Sequence, residues 1–275
     1  MTFAKKRLGQ NFLADGRVAA RIVEALGPRS DETVVEIGPG HGALTARLLE
    51  AAGRVVAVEF DRDLLPELGA RFGARPNFTL VAGDALAVDY CALVAPAAQA
   101  RVVANLPYNI ATAILQRLLA ARLCLTELVL MLQREVVARL VAPPGTPERG
   151  YLSVLIEAYC EREVLFDVAP GAFRPAPKVW STVVRLRLRE HAPVAAAGET
   201  LLWQLVSAGF AQRRKTLYNN LRQAPAPLRA QIDARGGADA LLAAAALDPR
   251  RRAETLTLAE WVRLARLLGG ADSDV

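Results

Sequence analysis

Val34-Val35-Glu36-Ile37-Gly38-Pro39-Gly40-His41-Gly42 is the stretch on which the rest of the chain turns. A β-branched apolar run reaches an acidic residue, glycines then alternate over five positions, and an apolar-periodic helix follows from Ala43. That order spells a strand, a tight turn and a helix N-terminus. Glycines in such a turn admit positive φ and let a ligand approach without meeting a Cβ. Free amides at the helix start favour an electron-rich partner. Gly38-x-Gly40-x-x-Ala43 also satisfies the G-x-G-x-x-G/A fingerprint, so by itself it indicates an adenosine-type cofactor without saying which one.

Outward from this turn the pattern is βαβ. Strands are expected over 33–37, 54–59, 78–81, 102–104 and 127–132, with helices over 44–52, 62–72, 110–123 and 135–141 between and after them. A further helix is expected over 17–26, stopped by Gly27-Pro28. Residues 152–159 and 181–189 read as strands, the second alternating Val183, Leu186 and Leu188 with arginines as an antiparallel strand near an edge does. The expected class is therefore α/β, a Rossmann-like, mostly parallel, doubly wound sheet. The Ala/Pro-rich residues 191–198 read as a linker, and 199–275 as a small all-helical domain. The division is thus 1–190, with a basic arm over 1–15, and 199–275.

Composition narrows the function. No apolar run reaches the length of a membrane span, and Leu8-Gly9-Gln10-Asn11 follows the basic start where a secretory signal has its apolar stretch, so a cytoplasmic protein is expected. Cys91, Cys124 and Cys160 are odd in number and far apart, which reads as buried reduced thiols. With only His41 and His191 besides, no metal site is expected and a Ser–His–Asp device lacks material. The net charge of +6 is clustered. Residues 1–30 hold six basic and two acidic side chains, residues 171–189 five basic and none acidic, and Arg213-Arg214-Lys215 and Arg250-Arg251-Arg252 add two triplets. Separate clusters suit an extended polyanion better than one small anion.

Three positions at strand ends carry chemistry. Glu59, about 20 residues past the glycines, stands where a carboxylate accepts from ribose hydroxyls; this suits NAD and S-adenosylmethionine equally. Asp84, in Gly83-Asp84-Ala85, can accept from an adenine amino group at the same crevice. Asn105-Leu106-Pro107-Tyr108 discriminates further. An Asn side-chain oxygen and the neighbouring backbone carbonyl can both accept from an exocyclic amine, the proline holds the turn, and the tyrosine offers a stacking face. These are the parts that grip a splayed-out adenine, whereas hydride transfer calls for an acid–base group here.

With these residues in place the chain resembles the small-subunit ribosomal RNA adenine dimethyltransferases (KsgA-type). The resemblance runs in order through Lys5-Lys6-Arg7-Leu8-Gly9-Gln10-Asn11-Phe12-Leu13, Glu36 to Thr45, Asn105 to Ile110, Gln133-Arg134-Glu135-Val136, Phe173 to Val179 and Arg213-Arg214-Lys215-Thr216-Leu217. It implies S-adenosylmethionine as methyl donor and dimethylation of two adjacent adenines near the 3′ end of small-subunit ribosomal RNA. Asn11, Leu13, Gly38, Gly40, Glu59, Asp84, Ala85 and Asn105 are then expected at the cofactor. Asn105 and the Leu106 carbonyl are expected on the adenine amine, with Tyr108 stacking on one face of the base and Phe173 on the other. Lys5, Lys6, Arg7, Lys178, Arg213, Arg214, Lys215 and Arg222 are the expected RNA contacts, the partner is ribosomal RNA or the assembling subunit, and the chain is expected to be a monomer. Two alternatives stay open: an assembly or RNA-binding factor on the same fold, and an NAD-dependent oxidoreductase.

Overall fold

The computed structural model describes residues 5, 9–193 and 196–269. It divides into two compact units, one formed by the chain up to Val137 with Glu161–Glu190, the other by Ala138–Cys160 with the chain from His191 onward.

The first unit opens with a two-residue strand, β1 (Phe12–Leu13), where the sequence suggested only an arm. Helix α1 (Gly16–Leu26) begins at Asp15, whose carboxylate accepts from the amides of Arg17 and Val18, and ends at Gly27 with φ 57°. Strands and helices then alternate as expected: β2 (Thr33–Ile37), α2 (Thr45–Ala51), β3 (Arg54–Glu59), α3 (Leu65–Phe72), β4 (Phe78–Ala82), α4 (Tyr90–Val94), β5 (Ala100–Asn105), α5 (Ala111–Ala120), β6 (Leu125–Gln133) and α6 (Arg134–Val141). Of these, only α4 was not foreseen; it sits inside the Pro/Ala-rich connection, capped by the Asp89 carboxylate.

The chain next forms α7 (Tyr151–Tyr159), then β7 (Cys160–Val168), β8 (Phe173–Arg174) and β9 (Ser181–Leu188). Here two expectations fail. Residues 152–159 are helical, and the strand lies immediately after them. Ser153, Val154, Leu155, Ile156, Ala158 and Tyr159 are all buried, so helix and strand periods are indistinguishable in this run. The boundary also moves, because Val154 packs into the core of the second unit and carries α7 with it.

The seven-stranded sheet has the order β4-β3-β2-β5-β6-β9-β7. β2 to β6 are parallel, while β9 runs antiparallel to β6. Chain order reverses between β2 and β5, which opens a crevice at the carboxyl ends of the central strands. β2 is buried along its whole length, so its near-continuous apolar run reflects helices on both faces. Outside this sheet β1 pairs antiparallel with β8, Phe12 opposite Arg174 and Leu13 opposite Phe173.

Helices α8 (Ala196–Gly209), α9 (Leu217–Arg222), α10 (Ala226–Ala234), α11 (Gly237–Ala244) and α12 (Leu258–Gly269) complete the second unit. They bury Leu202, Leu205, Leu241 and Trp261 together. No described helix is long and apolar enough to cross a membrane. One cysteine expectation is overturned: Cys91 and Cys124 are joined as a disulfide, their Cα atoms 5.4 Å apart, while Cys160 is buried and outside any disulfide. Their sequence separation of 33 residues gave no sign that the first turn of α4 and the turn before β6 meet.

Candidate active site

The glycine turn after β2 is closed by its own hydrogen bonds. The Gly38 amide donates to the Val58 carbonyl at 2.9 Å and the Gly42 amide to Pro39 at 2.8 Å. The Gly40 amide donates to Glu59 Oε2 at 3.2 Å. The amides of all three glycines are thus committed within the protein. Gly38 and Gly40 hold φ at 67° and 58°. A Cβ on Gly40 would stand 2.9 Å from the Phe12 ring, whereas one on Gly38 would meet nothing within 4 Å. The Gly38 face is therefore open, on a cavity of about 290 Å³.

Glu59 ends β3 with 5 % of its surface exposed. Its Oε1 accepts from the Asp61 amide at 2.7 Å and its Oε2 from Gly40. Burial raises its pKa, opposed by those amides. The carboxylate thus holds one amide on each oxygen at the cavity wall. Asp84 spends one oxygen on the Leu86 amide at 2.8 Å and lines the same cavity with Ala85. Behind the turn, Glu36 is buried and accepts from Thr45 Oγ1 at 2.7 Å. Burial first, and the nearby Glu59 charge next, push its pKa up to about 7 against the hydroxyl's opposing pull.

Asn105 closes β5. Its Nδ2 donates to the Asn11 carbonyl at 2.9 Å, so its Oδ1 is the atom left to accept. The Leu106 amide is used on Met131, and the Leu106 side chain is buried, so Leu106 offers the cavity backbone rather than side chain. The Tyr108 hydroxyl shares a 2.8 Å hydrogen bond with Ser181 Oγ, which fixes the ring at the cavity wall. Ser181 opens β9, 73 residues further on, and nothing in the sequence linked the two.

The arm is tied across this site. Asp61, 3 % exposed, receives Lys5 Nζ at 2.5 Å and Gln10 Nε2 at 2.9 Å. Lys5 also pairs with Asp63 at 2.6 Å, so its charge is spent inside the protein rather than held out for RNA. Gln10 and Asp61 were missed by sequence reading; the available signal was an acidic pair two and four residues past Glu59, facing a basic arm. Asn11 and Phe12 line the cavity, Phe12 against His41 at 4.5 Å between ring centres.

Two expected site residues fall elsewhere. Leu13 and Phe173 are opposite partners in the β1–β8 ladder, so their side chains share one face, and both lie in the core of the first unit. Phe173 is fully buried and is not part of the cavity wall. The wall's aromatic groups other than Tyr108 are Phe12 and Phe60, the latter 58 % exposed.

Lys6 and Arg7 lie outside the described residues. Lys178, Arg213, Arg214, Lys215 and Arg222 are exposed. The Arg213 guanidinium nevertheless donates to the Pro147 carbonyl, and Arg222 lies 5.4 Å from the Tyr218 ring centre. Arg250 and Arg251, read as part of a free basic triplet, pair with Asp248 at 3.0 Å and Glu260 at 2.6 Å. No group of three metal-ligating side chains occurs among the described residues.

A doubly wound, mostly parallel sheet with a glycine turn after β2 and the carboxylates and amide of Glu59, Asp84 and Asn105 around one cavity has the build of a Rossmann-like methyltransferase. Comparisons with known proteins narrow the class. A family model described as ribosomal RNA adenine dimethylase matches residues 1–263, and the chain belongs to that family. Ribosomal RNA small subunit methyltransferase A of Hahella chejuensis is 46 % identical over 262 residues, covering 95 % of this chain and 92 % of that protein. The protein of the same name from Pseudomonas aeruginosa is 44 % identical, with coverages of 96 % and 94 %. Among solved structures, a dimethyladenosine transferase from Plasmodium falciparum superposes with TM-score 0.76 at 22 % identity, over 92 % of this chain and 95 % of that one. The 23S rRNA methyltransferase ErmE superposes with TM-score 0.70 at 26 % identity, over 94 % and 100 %. The chain is an S-adenosylmethionine-dependent ribosomal RNA adenine dimethyltransferase.

Proposed function

We propose that this chain dimethylates N6 of two adjacent adenines near the 3′ end of small-subunit ribosomal RNA during subunit assembly, acting as a cytoplasmic monomer. The observation that carries the site assignment is the Asn105 amide at the cavity wall, whose Nδ2 is spent on Asn11 and whose Oδ1 is left to accept. S-adenosylmethionine supplies a methyl group on a sulfonium, already activated for transfer. The residues here fit it: Glu59 takes the ribose, Asp84 and Ala85 the adenine edge, and Gly38 leaves open space beside them.

The target amine is a poor nucleophile because its lone pair is delocalised into the purine. Asn105 Oδ1 and the Leu106 carbonyl accept its two hydrogens, which favours a pyramidal nitrogen and aims the lone pair at the donor. Tyr108, locked by Ser181, stacks on the flipped base. The work is positional, so no strong base is required. The exposed Arg214 and Lys215, with Lys178, attract the phosphate backbone. The test is transfer of labelled methyl from S-adenosylmethionine to small-subunit RNA and to assembling particles, followed by nucleoside analysis. N6,N6-dimethyladenosine at two neighbouring positions is expected; a product at a ring nitrogen or on another base overturns the reading.

A further inference from the structure

We infer that Trp180 is a stacking platform for the nucleotide adjoining the target adenine, which makes it a positioning residue for the RNA beyond the base pocket itself. The inference rests on the assignment of Asn105 and Tyr108 to the flipped base. Among the described residues five large apolar side chains are exposed, and two of them, Val179 and Trp180, are consecutive at 44 % and 45 %. Indole surface on that scale is costly to leave in water unless something covers it.

Its place in the sheet says what that is. Ser181 pairs with Gln133 at the carboxyl end of β6, and Asn105 pairs with Met131 on the other side of the same strand. β9 therefore begins two strand spacings, about 10 Å, from the end of β5. Trp180 stands one residue outside that register, and its carbonyl is held by the Arg134 amide at 3.0 Å. Its neighbour Ser181 bonds Tyr108, so the backbone that carries the indole is tied to the base-stacking ring. The Arg134 guanidinium lies 5.9 Å from the indole centre, and Lys178 is exposed two residues away. An aromatic face flanked by cations, one residue along the chain from the serine that holds Tyr108, is the chemistry that receives a nucleotide: base on the ring, phosphate on the charges.

The probe is a short unpaired RNA with two adjacent adenines, methylated by the full chain. Trp180→Ala should raise KM for this RNA by about 5- to 150-fold, as loss of one base–aromatic stack does. Turnover at saturating RNA and affinity for S-adenosylmethionine should stay within about twofold, and Trp180→Phe should recover most of the loss. Removing only the adjoining base from the RNA should weaken the wild type comparably, and combining that RNA with Trp180→Ala should add little further. RNA binding should also quench wild-type indole emission more than that of Trp180→Phe, in which only Trp203 and the buried Trp261 remain. Unchanged KM, or full additivity of the two deletions, overturns the inference. A defect seen with ribosomal particles but not with the short RNA does so too, since it assigns Trp180 to a protein partner. Asn105→Ala run alongside separates the two readings: if it is inactive while Trp180→Ala is normal, only the platform fails, and if it is fully active the pocket assignment fails first.

Discussion

The glycine turn at residues 38–42 and the basic turn at residues 212–215 are both polar connections into a helix, and they are built on opposite principles. In the first, the amides of Gly38, Gly40 and Gly42 are spent on Val58, Glu59 and Pro39, and a buried acid stands behind them. In the second, Arg213 is spent on Pro147 while Arg214 and Lys215 stay in solvent. Methyl transfer needs atoms fixed to fractions of an ångström, which internal hydrogen bonds provide. Attraction of a polyanion acts over a Debye length of about 8 Å, for which mobile exposed charge suffices. Under the proposed function one region works by geometry and the other by charge.

The sharpest way to break that contrast is Asn105→Ala. It removes an acceptor whose worth peaks as the amine pyramidalises, so single-turnover methyl transfer with saturating RNA should slow by about 10²-fold or more. Full dimethylation by this variant would move the chemistry out of the region of fixed geometry.

Glu36→Gln tests whether charge itself is unwelcome behind the glycine turn. The folded pKa of Glu36 is raised from 4.5 to about 7, so its contribution to stability is fully present below about 4.5 and is lost as pH rises through 7. The amide keeps the bond from Thr45 without the titration. Relative to Glu36→Gln, the wild type should lose up to about 3 kcal/mol between pH 4.5 and 8, read from urea midpoints at constant m-value. A difference that stays flat across that window would mean Glu36 is not titrating there.

Glu59→Ala removes acceptors for a ribose and leaves the Gly40 and Asp61 amides without a partner. Affinity for S-adenosylmethionine should fall by about 10- to 150-fold, measured calorimetrically, with RNA affinity little changed. Wild-type-like cofactor binding would detach the ribose from this carboxylate.

The smallest effects belong to the region of charge. Arg214→Ala and Lys215→Ala should each reduce the log–log salt dependence of RNA binding by about one unit or less and leave cofactor affinity intact. Arg213→Ala should differ in kind, because it also releases the turn from the Pro147 carbonyl; urea midpoints should fall for this variant alone. Identical behaviour of all three would erase the distinction between the anchoring and the solvent-facing cations.

The amino-acid sequence by itself determined the alternation of β2 to α6 apart from α4, the glycine turn, and the strand-end placement of Glu59, Asp84 and Asn105, because periodicity and turn chemistry are local properties of a chain. It determined the methyltransferase reading for the same reason, through short contiguous motifs. What only the tertiary structure decided were matters of partnership between distant residues. The β1–β8 ladder turned Leu13 and Phe173 into the core, and Asp61 claimed Lys5. Asp248 and Glu260 paired with Arg250 and Arg251, reducing one of the basic clusters that a count of charges had marked out. Burial on nearly every side hid the helical nature of 151–159 and sent it to the second unit. The orientation of the Asn105 amide, on which the proposed chemistry turns, rests on a carbonyl 94 residues away. A sequence states which groups are present, but which lone pair remains free is known only once every other hydrogen bond has found its partner.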